Sequence, residues 1–294
     1  MFTQAIEKAG DFTRPIHTIV RTYGGHKIVP GAATLFFVNR QGYAITCKHV
    51  VEMLVTSDKL TLQYNKFRAE RAQLPNDGKY RRNLKGLEQK YKFTPDSEVQ
   101  MRVMFVDCVD TMSGFTWFLH PTYDLAILKF NDYQELRYSQ HAIFKKNTAE
   151  ITPGKFLCRL GFPFPEFTNY QYNQTLDEIE WTTTGINISP RFPIEGMLTR
   201  FLADQNKAYG IEMSTPGLRG QSGGPLFDTN GLVYGMQFST KHLHLGFDID
   251  EQEFVINNRI KKISDHPFIH LGQCIHVDTI KEFLTQNHVT FHEE

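Results

Sequence analysis

Gly220-Gln221-Ser222-Gly223-Gly224-Pro225 places a serine between glycines at a sharp turn. One short segment there supplies a nucleophilic hydroxyl and main-chain N–H donors together. To cleave an amide or ester, the hydroxyl needs a base to take its proton, and the tetrahedral intermediate needs donors aimed at its developing negative charge. Gly220 reaches backbone angles closed to other residues and leaves room for a carbonyl, so its N–H and that of Ser222 converge on one oxygen. The same pattern also serves as a plain turn, so the chemistry depends on partners elsewhere in the chain.

Those partners lie upstream. Ala44-Ile45-Thr46-Cys47-Lys48-His49-Val50-Val51 reads as an apolar strand ending in a histidine, and Tyr123-Asp124-Leu125-Ala126-Ile127-Leu128-Lys129 as an aspartate opening another strand. Singly, His49 also reads as a structural histidine and Asp124 as a cap or turn residue. Together they give a base, a carboxylate to orient it and a nucleophile, in the chain order His, Asp, Ser.

Composition fits a globular enzyme. The 294 residues allow about two compact units, and a hydrophobic fraction of 40% is enough for two small cores. Lys and Arg number 32 against 32 Asp and Glu, so no global field points to nucleic acid, a membrane or a highly charged substrate. The N-terminal stretch Met1 to Gly10 has neither a basic leader nor an apolar core, and no apolar run approaches membrane length, which predicts a soluble cytoplasmic protein. Cys47, Cys108, Cys158 and Cys274 are scattered without metal-ligand spacing and read as free thiols. No cofactor motif appears.

Short β-branched or aromatic runs bounded by Gly, Pro, Asn or Asp predict an all-β chain. Residues 16–23, 32–39, 43–47, 59–64, 99–109, 115–119 and 125–130 form a first series. Residues 156–160, 178–183, 196–201, 209–214, 232–239, 253–256 and 272–277 form a second. Asn230-Gly231 predicts a type I′ hairpin turn just after Ser222. Asp278 followed by Ile280, Phe283 and Leu284 predicts a C-terminal helix.

On His49 in Gly42 to Val51, Asp124 in Asp124 to Leu128 and Ser222 in Gly220 to Leu226, the chain resembles the chymotrypsin-fold (trypsin-like) serine peptidases. The style is closest to the disulfide-poor bacterial branch with the Deg-type and glutamyl-specific enzymes. Leu160-Gly161-Phe162-Pro163 and Gly231-Leu232-Val233-Tyr234-Gly235 support the likeness. The order His, Asp, Ser belongs to that arrangement, whereas α/β-hydrolases run Ser, Asp, His and subtilisins Asp, His, Ser. The resemblance implies two six-stranded antiparallel β-barrels, in residues 1–140 and 141–294, with the site in the cleft between them. It further implies a serine endopeptidase acting on protein or peptide substrates, with His49, Asp124 and Ser222 as triad and Gly220 and Ser222 as oxyanion hole.

The departures from the family also carry expectations. Gln221 stands where secreted relatives carry an aspartate that pairs with a newly cut N-terminus, so that zymogen switch is expected to be absent. Pro216 stands where an acidic residue gives trypsin its basic preference. Pro216 and Gly217 form one expected wall of the substrate pocket, and Gln237, Phe238 and Ser239 the other. Glutamyl-specific relatives carry a histidine where Gln237 falls, which points to a polar pocket; alternatively Gln237 satisfies backbone groups.

Residues 59–97 read as a basic, partly helical insertion. Lys59 to Lys92 hold ten Lys or Arg against three acidic residues, interleaved with Tyr64, Phe67, Tyr80 and Tyr91. Helices are expected at Lys66 to Gln73 and Lys79 to Lys92. The segment suits a solvated face or a regulatory docking surface better than nucleic acid. His242 and His244 alternate on a strand edge without a third ligand at diagnostic spacing, and Asp248, Asp250, Glu251 and Glu253 read as a solvated acidic loop, so no metal site is expected. Two alternatives stay open: a catalytically silent protease-like binding module, and an α/β-hydrolase esterase. An active cytosolic peptidase without a zymogen switch needs another restraint, such as a narrow or gated pocket.

Overall fold

The computed structural model describes residues 1–294. Six antiparallel strands come first: β1 (Thr13–Thr22), β2 (Ile28–Phe37), β3 (Tyr43–Thr46), β4 (Glu98–Phe105), β5 (Gly114–Leu119) and β6 (Ala126–Asn131). They form one curled sheet in the order β4-β1-β2-β3-β6-β5. Its edge strands meet through side chains, Phe105 against Phe115 with ring centres 5.5 Å apart, so the sheet does not close with a ladder as a complete barrel.

The second sheet does close. Its strands are β7 (Ile143–Phe144), β8 (Phe156–Gly161), β11 (Phe192–Asp204), β12 (Lys207–Met213), β13 (Pro225–Phe227), β14 (Val233–His244), β17 (Phe268–His276) and β18 (His292–Glu293). Strand β13 pairs with both β8 and β14, which makes β13-β8-β11-β12-β17-β14 a six-stranded ring, with β7 and β18 appended. Two hairpins stand apart from it, β9 (Tyr170–Asn173) with β10 (Glu178–Trp181), and β15 (Ile249–Ile256) with β16 (Arg259–Asp265). Of the acidic stretch expected as a loop, Asp250, Glu251 and Glu253 lie in strand β15, whose end at 253–256 matches the strand expected there. In the β13–β14 turn only Gly231 has positive φ, and Asp228 Oδ1 accepts from the N–H groups of Asn230 and Leu232, so this is a longer, aspartate-capped loop and not a type I′ turn.

Four α-helices and a short 3-10 turn (Thr148–Glu150) complete the chain: α1 (Thr3–Phe12), α2 (Lys48–Ala72), α3 (Tyr80–Tyr91) and α4 (Val277–Gln286). The C-terminal helix matches the expectation. The strand expected at 59–64 is instead the middle of α2, because Val50, Leu54, Ser57, Tyr64 and Phe67 recur at helical spacing and are buried. Tyr64, Phe67, Leu87 and Val99 form a small core beneath the insertion, which removes two of its aromatics from any base-stacking role. Helix α1 buries Ala5, Ala9 and Phe12 at the same spacing, and Phe2 meets Phe227 of the closed ring. One continuous buried core runs through both sheets in place of two separate ones. No helix is long and apolar enough to cross a membrane.

Between β9 and β10, Asp177 clamps the hairpin to α2. Its Oδ1 accepts from Arg21 Nη2 (3.0 Å) and Tyr172 OH (2.7 Å), and its Oδ2 from Tyr64 OH (2.7 Å) and Arg71 Nη2 (3.1 Å). The Arg21 side chain is only 2% exposed, so losing the carboxylate strands a buried cation. Asp177→Ala is expected to lower unfolding free energy by about 3–5 kcal/mol in urea titrations. A loss under about 1 kcal/mol would show the cluster to be screened like a surface pair.

A second polar group is buried between β1 and the connections around Phe167 and Ser189. His17 of β1 is fully buried, stacks on Phe167 at 4.0 Å, and shares a 2.8 Å hydrogen bond between Nε2 and Ser189 Oγ. Burial lowers its pKa from 6.5 to about 4. Between those values the unfolded chain binds a proton that the folded chain refuses. This contribution is therefore complete above pH 6.5 and lost as pH falls toward 4, by at most about 3 kcal/mol. Urea titrations over that window should show a steeper acid loss in the wild type than in His17→Gln; parallel curves would contradict it.

Candidate active site

The register of the first sheet brings the expected base and carboxylate together. Thr46 pairs with Ala126, so β3 leaves the sheet at the end where β6 enters it. Three residues past Thr46 is His49, and two before Ala126 is Asp124. His49 lies in the first turn of α2, where main-chain N–H groups lack intrahelical acceptors, and the Cys47 cap position offers no side-chain bond. Asp124 fills that place from outside: Oδ1 accepts from His49 N–H at 3.0 Å, while Oδ2 lies 2.6 Å from His49 Nδ1. One carboxylate caps a helix and aligns an imidazole.

Burial raises the Asp124 pKa, but the hydrogen bonds and charge of His49 outweigh it, so the carboxyl stays below its ordinary range and ionised at neutral pH. The aspartate loop has its own brace, absent from the sequence reading. His120 Nδ1 accepts from the N–H groups of Thr122 (3.1 Å) and Tyr123 (3.0 Å), and its carbonyl accepts from Lys48 Nζ at 3.3 Å. A hollow of about 460 Å³ beside Asp124 is lined by Tyr123, Tyr209, Phe238 and Ile275.

The Ser222 turn is bonded to β2 at Thr34. Thr34 N–H donates to Ser222 O at 3.0 Å, and Thr34 Oγ1 donates to Gly220 O at 2.7 Å. Thr34 O in turn accepts from Thr46 Oγ1 at 2.7 Å. Thr34 is buried and ties the turn to the strand that leads to His49; a lone threonine in the apolar run Ala33-Thr34-Leu35 was its only signal. A Cβ at Gly223 would lie 2.0 Å from Thr34 O and 2.4 Å from Thr46 Oγ1, and φ there is +89°. Gly220 has φ +95°. The N–H groups of Gly220 and Ser222 donate to no group of the protein.

Gln221, expected to replace the zymogen aspartate of secreted relatives, is fully buried. Its Oε1 accepts from Leu218 N–H and its Nε2 donates to Phe192 O, both at 3.0 Å, so the turn is braced from within. Ser222 is half-buried and His49 exposed. The hydrogen bonds of His49 are those to Asp124; none reaches Ser222 Oγ, a bond that in free enzymes often tightens only around substrate. Cys47 Sγ lies within 4.8 Å of the His49 and Asp124 ligand atoms. Burial, reinforced by the Asp124 charge, holds its pKa well above the ordinary thiol value, so it stays a neutral thiol and a poor nucleophile.

The pocket residues also gather. Thr240 Oγ1 donates to Gly217 O at 2.8 Å, and a Cβ on Gly217 would lie 2.2 Å from Gln237 Nε2, so the two expected walls touch. Phe238 sits at a bulge between Gln237 and Ser239 in the β14–β17 ladder. Away from the cleft, the structure adds Asp248 and His266 to His244, with ring nitrogens 2.7 and 2.8 Å from Asp248 Oδ1. Both rings meet the same carboxylate oxygen. His244 Nδ1 already accepts from Gly246 N–H, which leaves the proton on the Nε2 that faces Asp248.

Residues 33–236, well over half of the chain, match the family described as trypsin-like peptidase domain. The chain belongs to the trypsin-like peptidase family. Among solved structures it is similar to an HtrA-type protease, AlgW, with a tripeptide, at 13% identity and a TM-score of 0.49, covering 97% of this chain and 63% of that one. A form of the same protease with a decapeptide gives 12% identity and 0.48, covering 97% and 67%. The chain thus spans less than two thirds of the tripeptide-bound relative. No curated protein matches it. Within this trypsin-like peptidase the antiparallel sheets replace the parallel, helix-flanked sheet that an α/β-hydrolase esterase requires.

Proposed function

We propose that the protein is a serine endopeptidase acting on protein or peptide substrates. The observation that carries this is the double hydrogen bond of Asp124 to His49 past the ends of β3 and β6, with the glycine-flanked Ser222 turn bonded to Thr34 of the neighbouring strand β2. His49 Nε2 takes the Ser222 proton as Oγ bonds to the substrate carbonyl carbon. The carbonyl oxygen, now negative, receives the N–H groups of Gly220 and Ser222. Collapse breaks the C–N bond, His49 protonates the leaving amine, and water then hydrolyses the acyl-enzyme by the same proton route.

The touching pocket walls support a gated enzyme, and the four buried thiols, unpaired, support a reducing cytoplasmic setting. Exposed Lys66, Lys79, Arg81, Arg82 and Lys85 support regulatory docking on residues 59–92. A fluorophosphonate probe tests the reading: it should label the wild type at Ser222, as mapped by mass spectrometry, and spare Ser222→Ala. An unlabelled wild type, also after incubation with peptides that open the pocket, would favour the silent binding module.

A further inference from the structure

Arg159, in the apolar run Leu157 to Gly161 of β8, is fully buried, and no carboxylate faces it. Nη1 donates to Gln237 Oε1 at 2.8 Å. Nη2 donates to Thr215 Oγ1 (2.6 Å), Thr215 O (3.0 Å) and Pro216 O (3.0 Å), and Nε has no partner. The ionisable groups whose charge acts on it are the buried thiols of Cys274 and Cys158. Gly272 makes the room, since a Cβ there would lie 1.9 Å from Nη1. A buried cation without a counter-ion is costly to a fold. This one lies directly behind Pro216 and Gln237, on the two walls of the pocket.

Its bonds also fix how the pocket is lined. Arg159 has only protons to give, so Gln237 must turn its oxygen to Arg159 and its Nε2 to Ser239 O, at 2.5 Å, on the side of Gly217. Thr240 Oγ1 donates to Gly217 O across the mouth. Two donors over a buried positive charge are therefore spent on main-chain carbonyls. A carboxylate entering the pocket offers both of them a stronger acceptor and gives the cation its missing counter-charge.

We infer that Arg159 makes the pocket selective for an acidic side chain, Glu or Asp, on the acyl side of the scissile bond. The inference rests on the peptidase reading above. Arg159 acts as a positioning and specificity residue: it orients Gln237 and sets the sign of the pocket, and it touches no reacting atom. The glutamate carboxylate replaces Ser239 O and Gly217 O as acceptor, so the substrate itself separates the walls. A glutamine side chain fills the same volume without the charge, and a lysine is repelled.

The test is kcat/KM on peptides identical but for that residue. Glu should exceed Gln by roughly tenfold or more, with Leu and Lys lower still. Arg159→Met should bring the Glu-to-Gln ratio toward one, while Arg159→Lys should retain part of it. Equal wild-type rates for Glu and Gln, or a preference for Lys or Leu, overturn the inference, and this comparison needs no variant to fold. Fluorescence titration of Ser222→Ala with the same uncut peptides separates the two readings. Tighter binding of the Glu peptide with no hydrolysis by the wild type would sink the peptidase and keep the acidic pocket. Hydrolysis without a Glu preference would do the reverse.

Discussion

Ser222→Ala is expected to lower kcat by about a millionfold while KM stays within a few-fold. On the proposed mechanism the hydroxyl forms the acyl-enzyme, and the neighbouring Cys47 thiol does not replace it: that thiol is buried and neutral, and it points its Sγ at Gln237 O, 3.4 Å away. Because Ser222 is fixed through its main chain, by Thr34 N–H on its carbonyl, removal of Oγ leaves the turn in place. The residue of catalysis, about a thousandfold over water, should come from the Gly220 and Ser222 N–H groups and from binding. Single-turnover hydrolysis and a urea titration of the variant check both halves. A kcat loss under a hundredfold would assign the nucleophile elsewhere.

Asp124→Asn is the next largest, with kcat expected to fall about ten-thousandfold. The reason is a proton in the wrong place. An asparagine oxygen can still accept from His49 N–H and cap α2, but its NH₂ then faces Nδ1, which must become the acceptor. The ring proton moves to Nε2, and His49 can no longer take one from Ser222. Stability should change by only about 1 kcal/mol, since the cap survives. Asp124→Ala removes cap and orienter together and should lose more stability than Asp124→Asn at a similar rate. Rate constants with thermal melts of both variants separate the two roles; equal melts would deny the cap.

Much of the site was legible because its chemistry is local. His49 and Asp124 each sit at the end of an apolar run, and Gly220 and Gly223 mark backbone angles that other residues avoid. What was not legible depends on contacts far apart in the chain. Leu60, Leu62 and Tyr64 alternate like a strand, yet Tyr64 is held in a helix by burial and by Asp177, which lies in another hairpin. Thr34 and His120 carry no signal until their partners are known. Arg159 did leave a mark, a charge inside a continuous apolar strand, but only the second sheet shows that its neighbours are the pocket walls.

The hairpin of β15 and β16 has a different lesson. Nearly all its side chains are exposed, none is buried, and its ladder belongs to neither large sheet. Residues 249–265 are therefore a protrusion beyond the far end of the β14–β17 ladder, without a share in the core. Lineages can lengthen, shorten or rewrite such a segment at little energetic expense to the rest of the chain. That makes it the part of the chain free to diversify while the sheets beneath it stay constant.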